Sequence, residues 1–135
     1  MEHMPQLVGI MAFSQGARVA TALLLYFART SHPLRTRFRF AVLCCATYPP
    51  LWGDGETEAW AAADCDGGVG RRKVEVPSLH LVGSKDAWKG EAETMAREVW
   101  SDEVGKEVWI FEGGHQVPLG REDGTRVAEW VKQFL

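Results

Sequence analysis

Three short strings in the sequence carry side chains able to do covalent chemistry together. Phe13-Ser14-Gln15-Gly16-Ala17 offers a hydroxyl, Gly83-Ser84-Lys85-Asp86 a carboxylate, and Gly113-Gly114-His115-Gln116-Val117-Pro118 an imidazole. A serine hydroxyl is a poor nucleophile until a base removes its proton. Imidazole titrates near neutral pH, so it can take that proton and later pass it to a leaving group. A carboxylate on the far ring nitrogen fixes the tautomer and stabilises the imidazolium. The order Ser, Asp, His along the chain is that of a hydrolase built on a nucleophile elbow, a sharp strand-to-helix turn. Such a turn asks for small neighbours. Gly16 and Ala17 meet that need, while Ala12, two residues before the serine, replaces a glycine and makes the turn more crowded.

Each string also has a plain structural reading. Ser14 could cap a following helix. Asp86 could be a turn or cap residue, with Lys85 as its solvated neighbour. His115, flanked by two glycines and a Val-Pro pair, is harder to explain by structure alone.

For the three strings to meet, the elements before them must bring their ends to one edge. Residues 7–13 (LVGIMAF) are a continuous apolar run, as expected of a strand buried on both faces. Ala17, Ala20, Leu23, Leu24 and Phe27 then recur at helical spacing until Ser31-His32-Pro33. Residues 38–46 read as a second buried strand, closed by Tyr48-Pro49-Pro50. Residues 51–73 are glycine-rich and loop-like, with a helical turn or two at 56–63. A third strand is expected at 78–83, a helix at 91–100, a fourth strand at 107–112 and a last helix at 124–135. The fold class is therefore α/β, a parallel sheet of about four strands covered on both faces. In such sheets sites form at the C-terminal strand ends, and all three strings lie there.

The 135 residues point to one domain, 1–135, and 46% hydrophobic with 24% charged residues is an ordinary globular composition. A net charge of −3 leaves no basic surplus for phosphates, so no nucleic-acid partner is expected. The apolar runs are too short to span a bilayer, and residues 1–6 do not resemble a signal peptide. Three cysteines without a CxxC pair fit a reducing, cytoplasmic setting. Cys44-Cys45 reads as core packing. His3, His32 and His80 lack companions at metal spacing, and His80 reads as a packed strand residue, so neither metal nor cofactor is expected. Among six tryptophans, Trp100, Trp109 and Trp130 fit inward faces. Trp52, Trp60 and Trp88 fall in loops, where they either line an apolar acyl pocket or cover exposed core. Val117, beside His115, is a further candidate for that pocket. Arg35, Arg37 and Arg39, and Arg71-Arg72-Lys73, read as solvated charge.

The three strings, with Pro77-Ser78-Leu79-His80-Leu81-Val82-Gly83 ahead of Asp86, resemble the small fungal serine hydrolases of the α/β-hydrolase superfamily. That group includes the LovG-type thioesterases, which release polyketides from their synthases. The resemblance covers nearly the whole chain. It implies Ser14 as nucleophile, Asp86 as acid, His115 as base and the Gln15 N–H as half of an oxyanion hole. It further implies an acyl or polyketide ester or thioester substrate in secondary metabolism, with an acyl-carrier protein or synthase as partner. The family's chain begins well before the nucleophile, and a loop after an early strand gives the second oxyanion donor. The expected fold is thus an α/β-hydrolase core from the nucleophile strand onward. The strand at 7–13 would then present an unpaired edge, inviting a second copy of the chain.

Two rival readings are a catalytically weak or inactive remnant that binds an acyl ligand or partner protein, and a flavodoxin-like nucleotide-binding domain. The second lacks a glycine-rich phosphate loop, since only Gly16 is placed for one.

Overall fold

The structure is a computed structural model that describes residues 9–50, 73–118 and 120–135. Strand β1 (Gly9–Phe13) enters helix α1 (Gln15–Arg29) with Ser14 alone between them. A single turn of tight helix, Pro33–Thr36, follows where proline ends α1's run; His32 caps it by accepting the Leu34 N–H at 3.1 Å. Strands β2 (Phe40–Cys44) and β3 (Ser78–Gly83), helix α2 (Lys89–Val99), strand β4 (Lys106–Phe111) and helix α3 (Arg121–Lys132) complete the described elements. The sheet order is β1-β2-β3-β4, with every pairing parallel.

Two cores lie on opposite faces of the sheet. The period-2 pleat of β2 sends Ala41 and Leu43 to one side, where they meet Leu24 and Leu25 of α1 and Met95 and Val99 of α2. Phe40, Val42 and Cys44 go to the other side, with Leu79, Leu81, Phe111 and Trp130 of α3. Trp100, fully buried at the end of α2, is edge-on to His80 with ring centroids 5.4 Å apart. Burial, aided by Lys106, pushes the His80 imidazole down to about 3, so the ring is neutral. His80 is a packed residue, as its place within a strand suggests.

The expectation that all four strands are buried on both faces is corrected at the sheet edges. Every residue of β2 and β3 is buried, but in β1 Met11 is 65% exposed and in β4 Ile110 is 56% exposed. The reason is width. A helix is about 10 Å across and strands are about 4.8 Å apart, so one helix covers roughly two strands. Among the described residues α3 covers about half of its face, where Met11 lies at the far edge, whereas Ile110, between the α3-facing Trp109 and Phe111, points to the face of α1 and α2 from the outermost strand, β4.

Other boundaries shift by a few residues. The last helix begins at Arg121 rather than 124 because Glu122 and Asp123 complement the positive end of its dipole. Gly124 lies inside the helix and donates its N–H to Gly120 O at 2.9 Å. Helix α2 starts at Lys89, two residues early, and Trp100 is already extended. Residues 7 and 8, Trp52, Trp60, Cys65 and the loop at 51–72 lie outside the described residues. No described helix is long and apolar enough to cross a membrane.

Candidate active site

The C-terminal ends of β1, β3 and β4 point to one edge of the parallel sheet, and the three strings meet there. Ser14 Oγ is 2.8 Å from His115 Nε2. His115 Nδ1 is 2.9 Å from Asp86 Oδ2, and Asp86 Oδ1 accepts the Trp88 N–H at 2.9 Å. The Asp86 side chain is closed to solvent, whereas that of His115 is 31% exposed.

Burial alone would raise the Asp86 carboxyl. The Trp88 N–H, the His115 ring and the Cys45 thiol outweigh burial and hold it below its ordinary value of 3.8. Asp86 is therefore a carboxylate at neutral pH and can only accept. That places the His115 proton on Nδ1 and leaves a lone pair on Nε2. The Ser14 hydroxyl must then donate to Nε2, the arrangement needed for proton abstraction.

The turn at Ser14 is strained. Its φ of 56° and ψ of −122° lie where L-residues rarely go, at a cost of about 1–3 kcal/mol. Backbone bonds hold it on both sides: Ser14 N–H donates to Cys44 O at 3.0 Å, and Ser14 O accepts from Ala17 N at 3.1 Å. Ser14 occupies the cap position of α1 but makes no side-chain cap bond, so its hydroxyl is free for His115. Asp86 fulfils both of its readings at once, turn residue through Oδ1 and ring partner through Oδ2. Lys85 pairs loosely with Glu112 at 3.9 Å in solvent.

The need for small residues falls on Ala17, which is fully buried. A side chain at Gly16 would meet no described atom within 4 Å, so the expected demand for smallness there is corrected. Gln15 is the first residue of α1, and its N–H has no acceptor within the helix. It sits at the positive end of the helix dipole, suited to a developing anion.

Around this chain of bonds the surface is apolar. The Phe13 ring lies 5.1 Å from the His115 ring, and Phe13, Trp88 and Val117 are 39%, 50% and 44% exposed. Trp52 lies outside the described residues.

Gly83 is a site residue that the sequence reading passed over. The loop bearing His115 crosses the end of β3, where Ser84 N donates to Phe111 O at 2.9 Å and Lys85 N to Gly113 O at 2.8 Å. A Cβ on Gly83 would stand 2.4 Å from Gly114 O and 2.8 Å from Gly113 O, both backbone atoms. The available signal was a glycine at a strand end, which marks close backbone approach. Gly83→Ala is expected to push the His115 loop away and lower any Ser14-dependent rate by about 10²-fold, the usual cost of a misplacement near 1 Å. Steady-state assay of the folded variant checks this.

Cys45, Asp86 and His115 have potential metal-binding atoms within 4.8 Å of one another. The imidazole and the carboxylate are already bonded to each other, so a cation there would have to break the bond that sets the tautomer.

The family model described as "Serine hydrolase (FSH1)" matches residues 1–127. Thioesterase FSL2 of Gibberella zeae is 33% identical over 128 residues, covering 93% of this chain and 49% of that protein. Esterase mlcF of Penicillium citrinum is 32% identical over 129 residues, covering 95% of this chain and 47% of that protein. The chain thus spans about half the length of these curated relatives. Among solved structures, a Rhizomucor miehei esterase superposes with a TM-score of 0.64 at 14% identity, over 97% of this chain and 52% of that one. Human thioesterase 2 superposes with a TM-score of 0.57 at 16% identity, over 90% and 70%. These likenesses establish the α/β-hydrolase fold, and the resemblance read from the three strings is borne out. With the family model matching nearly its full length, the chain belongs to the FSH1 serine hydrolase family.

Proposed function

We propose that this site hydrolyses a carboxylic ester or thioester through an acyl-Ser14 intermediate. The observation that carries the reading is the continuous bond chain from Ser14 Oγ through His115 to the buried Asp86. His115 Nε2 takes the hydroxyl proton as Oγ attacks the carbonyl carbon. The Gln15 N–H and the α1 dipole stabilise the tetrahedral oxyanion. The intermediate collapses, His115 protonates the departing alcohol or thiol, and the acyl group remains on Ser14. Water then attacks the acyl carbon, giving its proton to His115, and the acid leaves as Ser14 recovers its own.

The exposed Phe13, Trp88 and Val117 support an apolar acyl group. The names of the relatives, esterase and thioesterase, support either leaving group. An acyl or polyketide chain of secondary metabolism, delivered on a carrier protein or synthase, is the substrate class this reading favours.

A fluorophosphonate probe tests the proposal: the expected result is a single adduct on the peptide bearing Ser14, found by mass spectrometry. A folded protein that takes no label overturns it, and a non-catalytic acyl-binding module becomes the reading. Labelling reads the Ser14 nucleophile directly and needs no turnover, so it is a more sensitive measure than turnover.

Self-association along β1 accompanies this reading. Among the described residues β1 pairs on one side only, with β2, and Met11 is bare. Light scattering is expected to give a dimer. A monomer at high protein concentration removes that part of the proposal.

A further inference from the structure

The sequence around His3, His32 and His80 offers no ligand at metal spacing, but the fold assembles a set of ligands elsewhere. Cys45 follows β2, Asp86 follows β3 and His115 follows β4, so parallel strands deliver all three to one edge. The Cys45 sulfur, an Asp86 carboxylate oxygen and a His115 ring nitrogen lie within 4.8 Å of one another. A φ of 48° turns Cys45 out of the alternation of β2, so it shares α3's face of the sheet with Cys44. Cys45 is fully buried, and its N–H is fixed to Leu81 O at 2.9 Å. The contacts of its sulfur are loose: Gln116 O at 3.4 Å, Gly114 O at 3.8 Å and Cys44 Sγ at 3.9 Å.

We propose that these three side chains form an inhibitory zinc site, in which the ion binds Cys45 Sγ, Asp86 Oδ2 and His115 Nδ1 and switches the hydrolase off. A sulfur, an imidazole nitrogen and one carboxylate oxygen select Zn²⁺ over Mg²⁺ or Ca²⁺. Three protein ligands leave the fourth tetrahedral position to water. A thiolate and a carboxylate bring two negative charges against the two positive charges of the ion, so the filled site is neutral, as the burial of Cys45 and Asp86 requires. The geometry is close to what zinc needs. With bonds of about 2.0–2.3 Å, ligand atoms on a tetrahedral zinc stand about 3.3–3.6 Å apart. The Nδ1–Oδ2 separation of 2.9 Å must open slightly, and the sulfur must close from within 4.8 Å. The ion enters past the His115 ring, the solvent-exposed member of the set.

The proton balance gives the inhibition. As zinc binds, the thiol proton is released to solvent and the sulfur becomes a thiolate. Nδ1 gives up its proton to the metal's place, and the neutral ring carries its one proton on Nε2 instead. Nε2 then donates to Ser14 Oγ and cannot take the hydroxyl proton. One proton leaves in all, and the ring is locked in the tautomer that does not activate Ser14.

The inhibition rests on the hydrolase reading, whereas metal binding does not, so two measurements separate them. Cobalt(II) added to the metal-free protein reads the site without turnover: a thiolate ligand is expected to give a sulfur-to-metal charge-transfer band. Zinc chloride is expected to slow fluorophosphonate labelling by at least about 10²-fold, through the wrong tautomer, and EDTA to restore it. Magnesium chloride, the control, is expected to leave labelling unchanged. Cys45→Ser and Cys45→Gly are each compared with their own metal-free rate. Glycine suits the φ of 48° and guards against a folding defect in the serine variant. Both variants are expected to lose the cobalt band and to need about 10–100-fold more zinc for half-inhibition. Absence of the band in wild type overturns the inference, as does a band or a zinc sensitivity that both variants retain. Zinc that leaves wild-type labelling unchanged overturns it too. If wild type takes no label even without metal, the hydrolase reading fails, while the cobalt band still decides the site.

Discussion

Replacing Ser14 by glycine is expected to make the protein more stable while abolishing ester hydrolysis. The φ of 56° costs a side-chain-bearing residue about 1–3 kcal/mol, and glycine escapes most of it. Glycine also adds freedom to the unfolded chain, which takes back about 0.5–1 kcal/mol. The net expected gain is about 1 kcal/mol. Ser14→Ala is the control: it retains Cβ and the strain, and both variants lose the hydroxyl bond to His115, so that loss cancels between them. In urea, glycine should melt later than alanine by about 0.5 M, given slopes of about 1–3 kcal/mol per M. Both should lose about 10⁶ in turnover, the cost of removing a nucleophile that acts as one unit with its base. A glycine variant no more stable than alanine would mean that the turn stores no strain. Hydrolysis that survives in both would place the chemistry elsewhere.

Asp86→Asn is expected to cut hydrolysis by about 10⁴ with the fold intact. The amide oxygen can keep the Trp88 N–H, but the amide nitrogen then faces His115 and donates to Nδ1. The ring proton moves to Nε2, where it blocks transfer from Ser14. The same variant has a stability signature. Asp86 has a folded-state value below its ordinary 3.8, so its ionised form contributes stability above that pH. The contribution fades as pH falls below about 4, through the depressed folded value. Wild type should therefore lose thermal stability on acidification in that window, and Asp86→Asn should lose less. Melting curves from pH 7 to pH 3 check this; parallel losses in the two proteins would mean that the carboxylate is not specially stabilised. A second arm, activity of Asp86→Asn near wild type, would show that His115 needs no partner.

How much of this was readable in advance depended on range. The apolar runs gave four parallel strands, because continuous burial needs no partner to be named. The serine, aspartate and histidine were readable because each follows a strand, and parallel strands deliver their ends to one edge. The exposed faces of β1 and β4 were not readable, since Met11 and Ile110 are as apolar as the buried Val42. Coverage is decided by where the helices lie over each face and how far they reach toward the edge strands, and one-dimensional patterns are silent on that. Gly83 was missed for a related reason. It matters through the backbone of Gly113 and Gly114, on a loop that is distant in the chain.

By itself, then, the sequence determined the kind of chemistry and the side chains to carry it, because residue type and order along alternating strands and helices are local properties. The tertiary structure decided the direction of the protons, the strain at Ser14 and the clearance at Gly83. Those depend on angstrom-scale distances between segments far apart in the chain, and only packing sets them.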